Sequence, residues 1–155
     1  MKITVLAVGR LGRSIEADLA RDYSRRASAG GRALGVGPVD LVEVEAKRSG
    51  EEQEAELLIA ALPQGAFAIA CDEHGAGRDS RAFAGDIARR RDEGERQLVF
   101  ILGGADGLAP RVLTAARERL AFGPQTWPHA LARVMLCEQI YRAVTILGGA
   151  PYHRD

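Results

Sequence analysis

Two stretches of this 155-residue sequence gather groups that could do chemistry. The first, FILGGADGL at residues 100–108, runs three apolar residues straight into Gly103 and Gly104 and, past Asp106, into Gly107. A strand that enters glycine with no spacer does so where something must come very close to its backbone. Walker-type phosphate chemistry is excluded, because no Gly-Lys-Ser/Thr follows and the glycines do not match G-x-G-x-x-G. A carboxylate at Asp106 would repel a pyrophosphate held by backbone amides alone, so a neutral or cationic nucleoside suits the loop better. Two structural roles compete with a ligand: Asp106 at the amino end of a helix starting near Pro110, and a plain strand-to-helix turn. The second stretch is the terminal PYHRD, where Tyr152, His153 and Arg154 offer a stacking ring, a group titrating near neutrality and a phosphate fork, although a terminal tail ordinarily frays. Between the two, His129 opens a helix at its positive end, where a protonated imidazole is disfavoured and a neutral, structurally bonded ring is the ordinary expectation. Glu138 and Arg142 follow, four apart with Glu first, a spacing that supports an exposed pair worth ~0.2–0.5 kcal/mol.

These groups need a scaffold, and the apolar runs supply one. Residues 2–8, 39–45, 66–71 and 97–102 are short and rich in β-branched or aromatic residues, as buried strands are. Helical patterns lie between them. Residues 13–27 carry Ile15, Leu19 and Tyr23 at four-residue spacing, 51–62 begin acidic and stop at Pro63, and 80–93 and 110–121 complete the set, with Pro110 at a first helical position. Strand and helix alternating in this way predict an α/β fold with a parallel sheet covered on both faces. Residues 28–38, with four glycines and a proline, read as a flexible loop. Residues 122–130 leave room for at most a two-residue strand before a long helix over about 129–146, whose Leu131, Val134, Met135, Ile140, Tyr141 and Val144 form a stripe wide enough for a core helix or a subunit interface.

Composition bounds the function. With 46% hydrophobic and 27% charged residues the chain fits a single domain, 1–155, large enough to bury a core. Lys plus Arg and Asp plus Glu both total 21, so there is no global attraction to nucleic acid or anionic membrane, and any RNA site has to be a local patch. Arg10, Arg13, Arg21, Arg25, Arg26, Arg32, Lys47 and Arg48 concentrate positive charge in the first third, as a solvated face or as a phosphate-contacting surface. MKITVLAVG lacks a signal-peptide pattern, nothing approaches the ~20 apolar residues of a membrane span, and Cys71 and Cys137 read as reduced thiols of a cytoplasmic protein.

Taken together, AVGRLG, ILGGADGL, PHALARVMLCEQIYRA and the terminal PYHRD resemble, in order and over the full length, the ribosomal RNA large subunit methyltransferase H family, minimal members of the SPOUT superfamily. The resemblance implies a homodimer with a SPOUT-type parallel sheet flanked by helices and a carboxy-terminal trefoil knot, a rare exception to unthreaded topology. It implies methyl transfer from S-adenosylmethionine to N3 of a pseudouridine in 23S ribosomal RNA on the assembled ribosome, with no metal, no DNA and no membrane. It carries cofactor-binding backbone onto Cys71 with the following DEHG, onto Gly103 and Gly104, and onto Phe122, Gly123, Pro124, Gln125, Thr126 and Trp127. His153 and Arg154 are then expected to place the substrate and favour its anion, Tyr152 to contact RNA, and Glu138, Arg142 and His129 to shape the pocket across the dimer interface. Two other classes remain: a non-catalytic dimeric ribosome- or RNA-binding protein of the same fold, and a flavodoxin-like small-molecule enzyme, which leaves the tail without purpose.

Overall fold

A computed structural model describes residues 1–46 and 50–153. Lys47 and Arg48 of the basic region, and Arg154 with the last residue of the tail, lie outside the described residues. The elements are β1 (Lys2–Val8), α1 (Ile15–Gly31), a 3-10 turn (Arg32–Leu34), β2 (Val39–Val44), α2 (Glu51–Ala61), β3 (Phe67–Gly77), α3 (Ser80–Asp92), β4 (Gln97–Leu102), α4 (Pro110–Ala115), β5 (Glu118–Ala121) and α5 (His129–Leu147). The strands form one parallel sheet in the order β2-β1-β4-β3-β5.

The central strand explains why its sequence is uniformly apolar. Leu98, Phe100 and Leu102 of β4 point into the larger core, shared with α1, α3 and α5, while Val99 and Ile101 point into a smaller core with α2 and α4. Period-two alternation delivers apolar residues to both faces, as a sheet covered on both sides requires. Helix starts follow local chemistry: Ser14 accepts from the Ala17 amide at 3.1 Å and Asp79 from the Ala82 amide at 2.7 Å, while α2 opens on Glu51, Glu52 and Glu54.

Three expectations need correction. The helix expected over 110–121 ends at Ala115; residues 118–121 are instead the edge strand β5, begun by the Arg117 amide bonding to the Ala68 carbonyl at 2.8 Å and burying Leu120 and Ala121. Four residues are too few to display a period, so pairing with β3 decides their state. Residues 122–128 hold no strand, within the expected bound of at most two residues. The loop expected over 28–38 is helical through Gly31, because Gly31 lets the Val36 carbonyl come within 2.2 Å of where a Cβ would be. Lastly, Ile15 and Leu19 do not face the core: their exposures are 77% and 43%.

At the carboxyl ends of the strands, β3 pairs with β5 in two registers, Cys71 and Ala76 both opposite Leu120, so residues 72–75 bulge outward. Gly75 permits this, since a Cβ there would lie 2.7 Å from the Leu120 backbone. The bulge turns Asp72 and Glu73 towards the ends of β4 and β5.

Candidate functional site

The glycine loop is a tight crossing. The Gly107 amide bonds back to the Gly104 carbonyl at 3.2 Å, and a Cβ on Gly103 would sit 2.0 Å from the Gly107 carbonyl oxygen. Gly107 itself has φ +85°, open to glycine at little cost. Asp106 does not cap the following helix, which starts on Ala109 without a side-chain bond. Facing this loop, residues 122–127 close on themselves through Trp127 Nε1, which donates to the Phe122 carbonyl at 3.2 Å, and reach the β3 bulge through the Thr126 hydroxyl, 3.2 Å from Glu73 Oε2. The two loops and the end of β3 enclose a cavity of ≈ 260 Å³.

Eight of the nine residues expected to hold a cofactor line it: Cys71, Gly103, Gly104, Phe122, Gly123, Gln125, Thr126 and Trp127; Pro124 does not. The walls suit a cationic nucleoside. They offer backbone at glycine, an indole, and the carboxylates of Asp72, Glu73 and Asp106, with no lysine or arginine among the described lining residues. Burial pushes the Cys71 thiol upward, away from the lowered values of reactive cysteines. No group of three His, Cys, Asp or Glu side chains among the described residues could hold a metal ion.

Helix α5 reaches this cavity under a clamp that sequence reasoning missed. Arg133, 3% exposed at its side chain, donates from Nη2 to the Val8 and Gly9 carbonyls at 2.9 and 3.0 Å and from Nη1 to Glu43 Oε1 at 2.6 Å. Glu43 Oε1 also accepts from the Leu11 amide at 3.1 Å. The start of α5, with His129 and Ala132 at the cavity wall, is thus pinned to the ends of β1 and β2. An arginine in an apolar helical turn, ALARVML, was the available signal.

The remaining expected residues meet elsewhere. Glu138 Oε1 accepts from Arg142 Nε at 3.0 Å, from Arg142 Nη2 at 2.5 Å and from the Tyr152 hydroxyl at 3.0 Å, and Arg142 Nη1 lies 3.4 Å from His153 Nδ1. The Arg142 guanidinium stands 4.8 Å from the centre of the Tyr152 ring, which packs 4.7 Å from Tyr141. The pair read as exposed is therefore part-buried and cross-linked to the tail, which folds back through the Ala150 amide bonding to the Thr145 carbonyl at 2.9 Å. Burial, followed by the bond to Glu138, pushes the Tyr152 phenol above 10, so it stays protonated at neutral pH. Nine residues of helix, about 14 Å of axis, separate His129 from Glu138; among the described residues of this set, His129 alone lines the cavity within one subunit.

The family model described as "Predicted SPOUT methyltransferase" matches residues 1–153. The chain belongs to the SPOUT methyltransferase family. Among curated relatives it is similar to the Ribosomal RNA large subunit methyltransferase H of Caulobacter sp. (strain K31), 66% identical over 100% of both chains. The protein of the same name from Caulobacter vibrioides is 63% identical over 100% of this chain and 99% of its own, and that from Phenylobacterium zucineum 60% identical over 100% of both.

Proposed function

We propose that this chain methylates N3 of a pseudouridine in 23S ribosomal RNA on the assembled ribosome, acting in the cytoplasm as a homodimer of single SPOUT domains. It is an S-adenosylmethionine-dependent ribosomal RNA methyltransferase, in keeping with full-length relatives at 60–66% identity. The observation that carries the reading is the cavity whose walls are the end of β3, Gly103–Gly104 and the 122–127 loop. When bound there, the donor supplies an electrophilic methyl on a positively charged sulfur.

The reaction forms an N–CH3 bond, breaks the S–CH3 bond and leaves a neutral thioether, while the N3 proton departs. The protein's work is alignment and access to the N3 anion. Backbone at the glycine loop accommodates the donor. His153, with Arg154 beside it in sequence, favours the anion; Tyr152, kept protonated and held by Glu138, presents a hydroxyl and a ring to the RNA. Arg142 positions that tail through Glu138 and His153.

Because the tail cluster and the cavity lie apart in one subunit, we place the cluster of one subunit over the cavity of the other. Ile15, Leu19 and Leu131, exposed by 77%, 43% and 42% on the mutually packed α1 and α5, supply apolar surface for a second copy. A trefoil knot accords with the layering: the chain leaves β5, beyond β3 at the sheet edge, and returns to the face already occupied by α3 to form α5. No described helix is long and apolar enough to cross a membrane.

The test is methyl transfer from labelled S-adenosylmethionine to ribosomes of a strain lacking this protein, followed by nucleoside mass spectrometry of the 23S RNA. Methyl at N3 of a pseudouridine is expected. Label absent, or on another base, would refute the assignment.

A further inference from the structure

The cavity carries more negative charge than its shape needs. Asp72, Glu73 and Asp106 line it, and Glu54 of α2 stands behind the glycine loop, its Oε2 3.0 Å from where a Cβ on Gly104 would lie. Asp72 has Arg119 at 3.6 Å, and Glu73 takes the Thr126 hydroxyl. Glu54 and Asp106 have neither a hydrogen bond nor an ion pair with another described residue. Asp106 is exposed and Glu54 half-buried, so burial forces neither into a pair and both keep their charge available to the cavity. Glu54 interacts electrostatically with Asp106, Glu51 and His129, and Asp106 has no capping duty that would explain its place.

The donor and its product differ in one respect that such a wall can read. S-adenosylmethionine carries a sulfonium, an ammonium and a carboxylate, a net charge of one; after transfer the sulfur is a neutral thioether and the net charge is zero. The outlines of the two differ by a single methyl. We propose that Glu54 and Asp106 are specificity-determining residues that make the cavity hold the sulfonium donor in preference to its thioether product, so that transfer itself weakens the grip on what remains. The inference rests on the cavity being the donor site. Asp72, Glu73 and Asp106 line the cavity and Glu54 stands behind Gly104 in its wall, so a cation held there meets their field with limited screening. Burial, then Asp106 and Glu51, push the Glu54 carboxyl upward from 4.5, with His129 opposing.

Calorimetry on the full chain decides it, using S-adenosylmethionine, S-adenosylhomocysteine and sinefungin, which carries a protonated amine where the donor has its methylated sulfur. The wild type should bind both cations about tenfold more tightly than the thioether, a difference of about 1.4 kcal/mol. Glu54→Gln with Asp106→Asn should remove most of that preference while changing the thioether's affinity by no more than about twofold. An unchanged preference in the double variant, or a wild type that binds the thioether as tightly as the cations, overturns the inference and leaves the donor site standing. If none of the three binds the wild type, the donor-site reading fails and the inference with it. Should the double variant not fold, the wild type alone decides: the preference must shrink between about 0.05 and 0.5 M salt, and one that holds constant is a contradiction.

Discussion

Glu138 Oε1 is the acceptor on which Arg142 and Tyr152 both depend, and few single oxygens in the molecule hold as much. Glu138→Ala frees the tail and leaves Arg142 without its partner. We expect turnover on ribosomes to fall about 100-fold, the usual cost of misplacing a reacting group, with donor affinity by calorimetry unchanged because the cavity is remote. Arg133 is a contrasting residue. Arg133→Met strands Glu43 and two carbonyls, and should destabilise the fold by about 3 kcal/mol in urea unfolding. Glu54→Gln has the opposite sign: a carboxyl whose folded value is raised is ionised at a cost in the native state, so its removal should hold or raise the melting temperature at neutral pH while weakening donor binding. At this scale the sequence was readable where a motif spelled out the residue. Gly103, Gly104 and Trp127 line one cavity, whereas Glu54 and Arg133 act through neighbours more than 35 residues away, which no local pattern displays.

Among the elements, the glycine loop and the α1 terminus show how one substitution can have different outcomes. In Gly103→Ala the new Cβ meets the Gly107 carbonyl at 2.0 Å, so the loop has to open; donor binding should be lost while the melting temperature drops only slightly. In Gly31→Ala the obstacle is the Val36 carbonyl at 2.2 Å, far from the cavity, and the melting temperature should fall by several degrees, about 1–3 kcal/mol, with donor affinity intact. Thermal melts with parallel calorimetry separate the two. Strands β1 and β4 were legible as apolar runs, β2 by its spaced β-branched residues and β3 over its apolar start only, all flanked by helical spacing. β5 was not: ERLA has no period, and its state follows from the open edge of β3 and the bulge at 72–75. The continuation of α1 was hidden by glycines that serve close packing instead of a loop.

For the whole molecule, the sequence was most informative about class and least about where subunits meet. Zero net charge and motif order pointed to a shape-dependent RNA enzyme, while the stripe containing Ile15 and Leu19, read as helical, is exposed to solvent in one subunit. Ile15→Glu with Leu131→Glu should yield a monomer by light scattering that still binds donor weakly but transfers nothing to ribosomes. The most direct measurement mixes two inactive proteins, Gly103→Ala, which keeps its tail, and a chain ending at Pro151, which keeps its cavity. After exchange of subunits, the mixture should recover about a quarter of wild-type transfer, since half the dimers carry one complete site. A mixture as inactive as its parts, despite proven exchange, would contradict a site built from the cavity of one subunit and the tail of its partner.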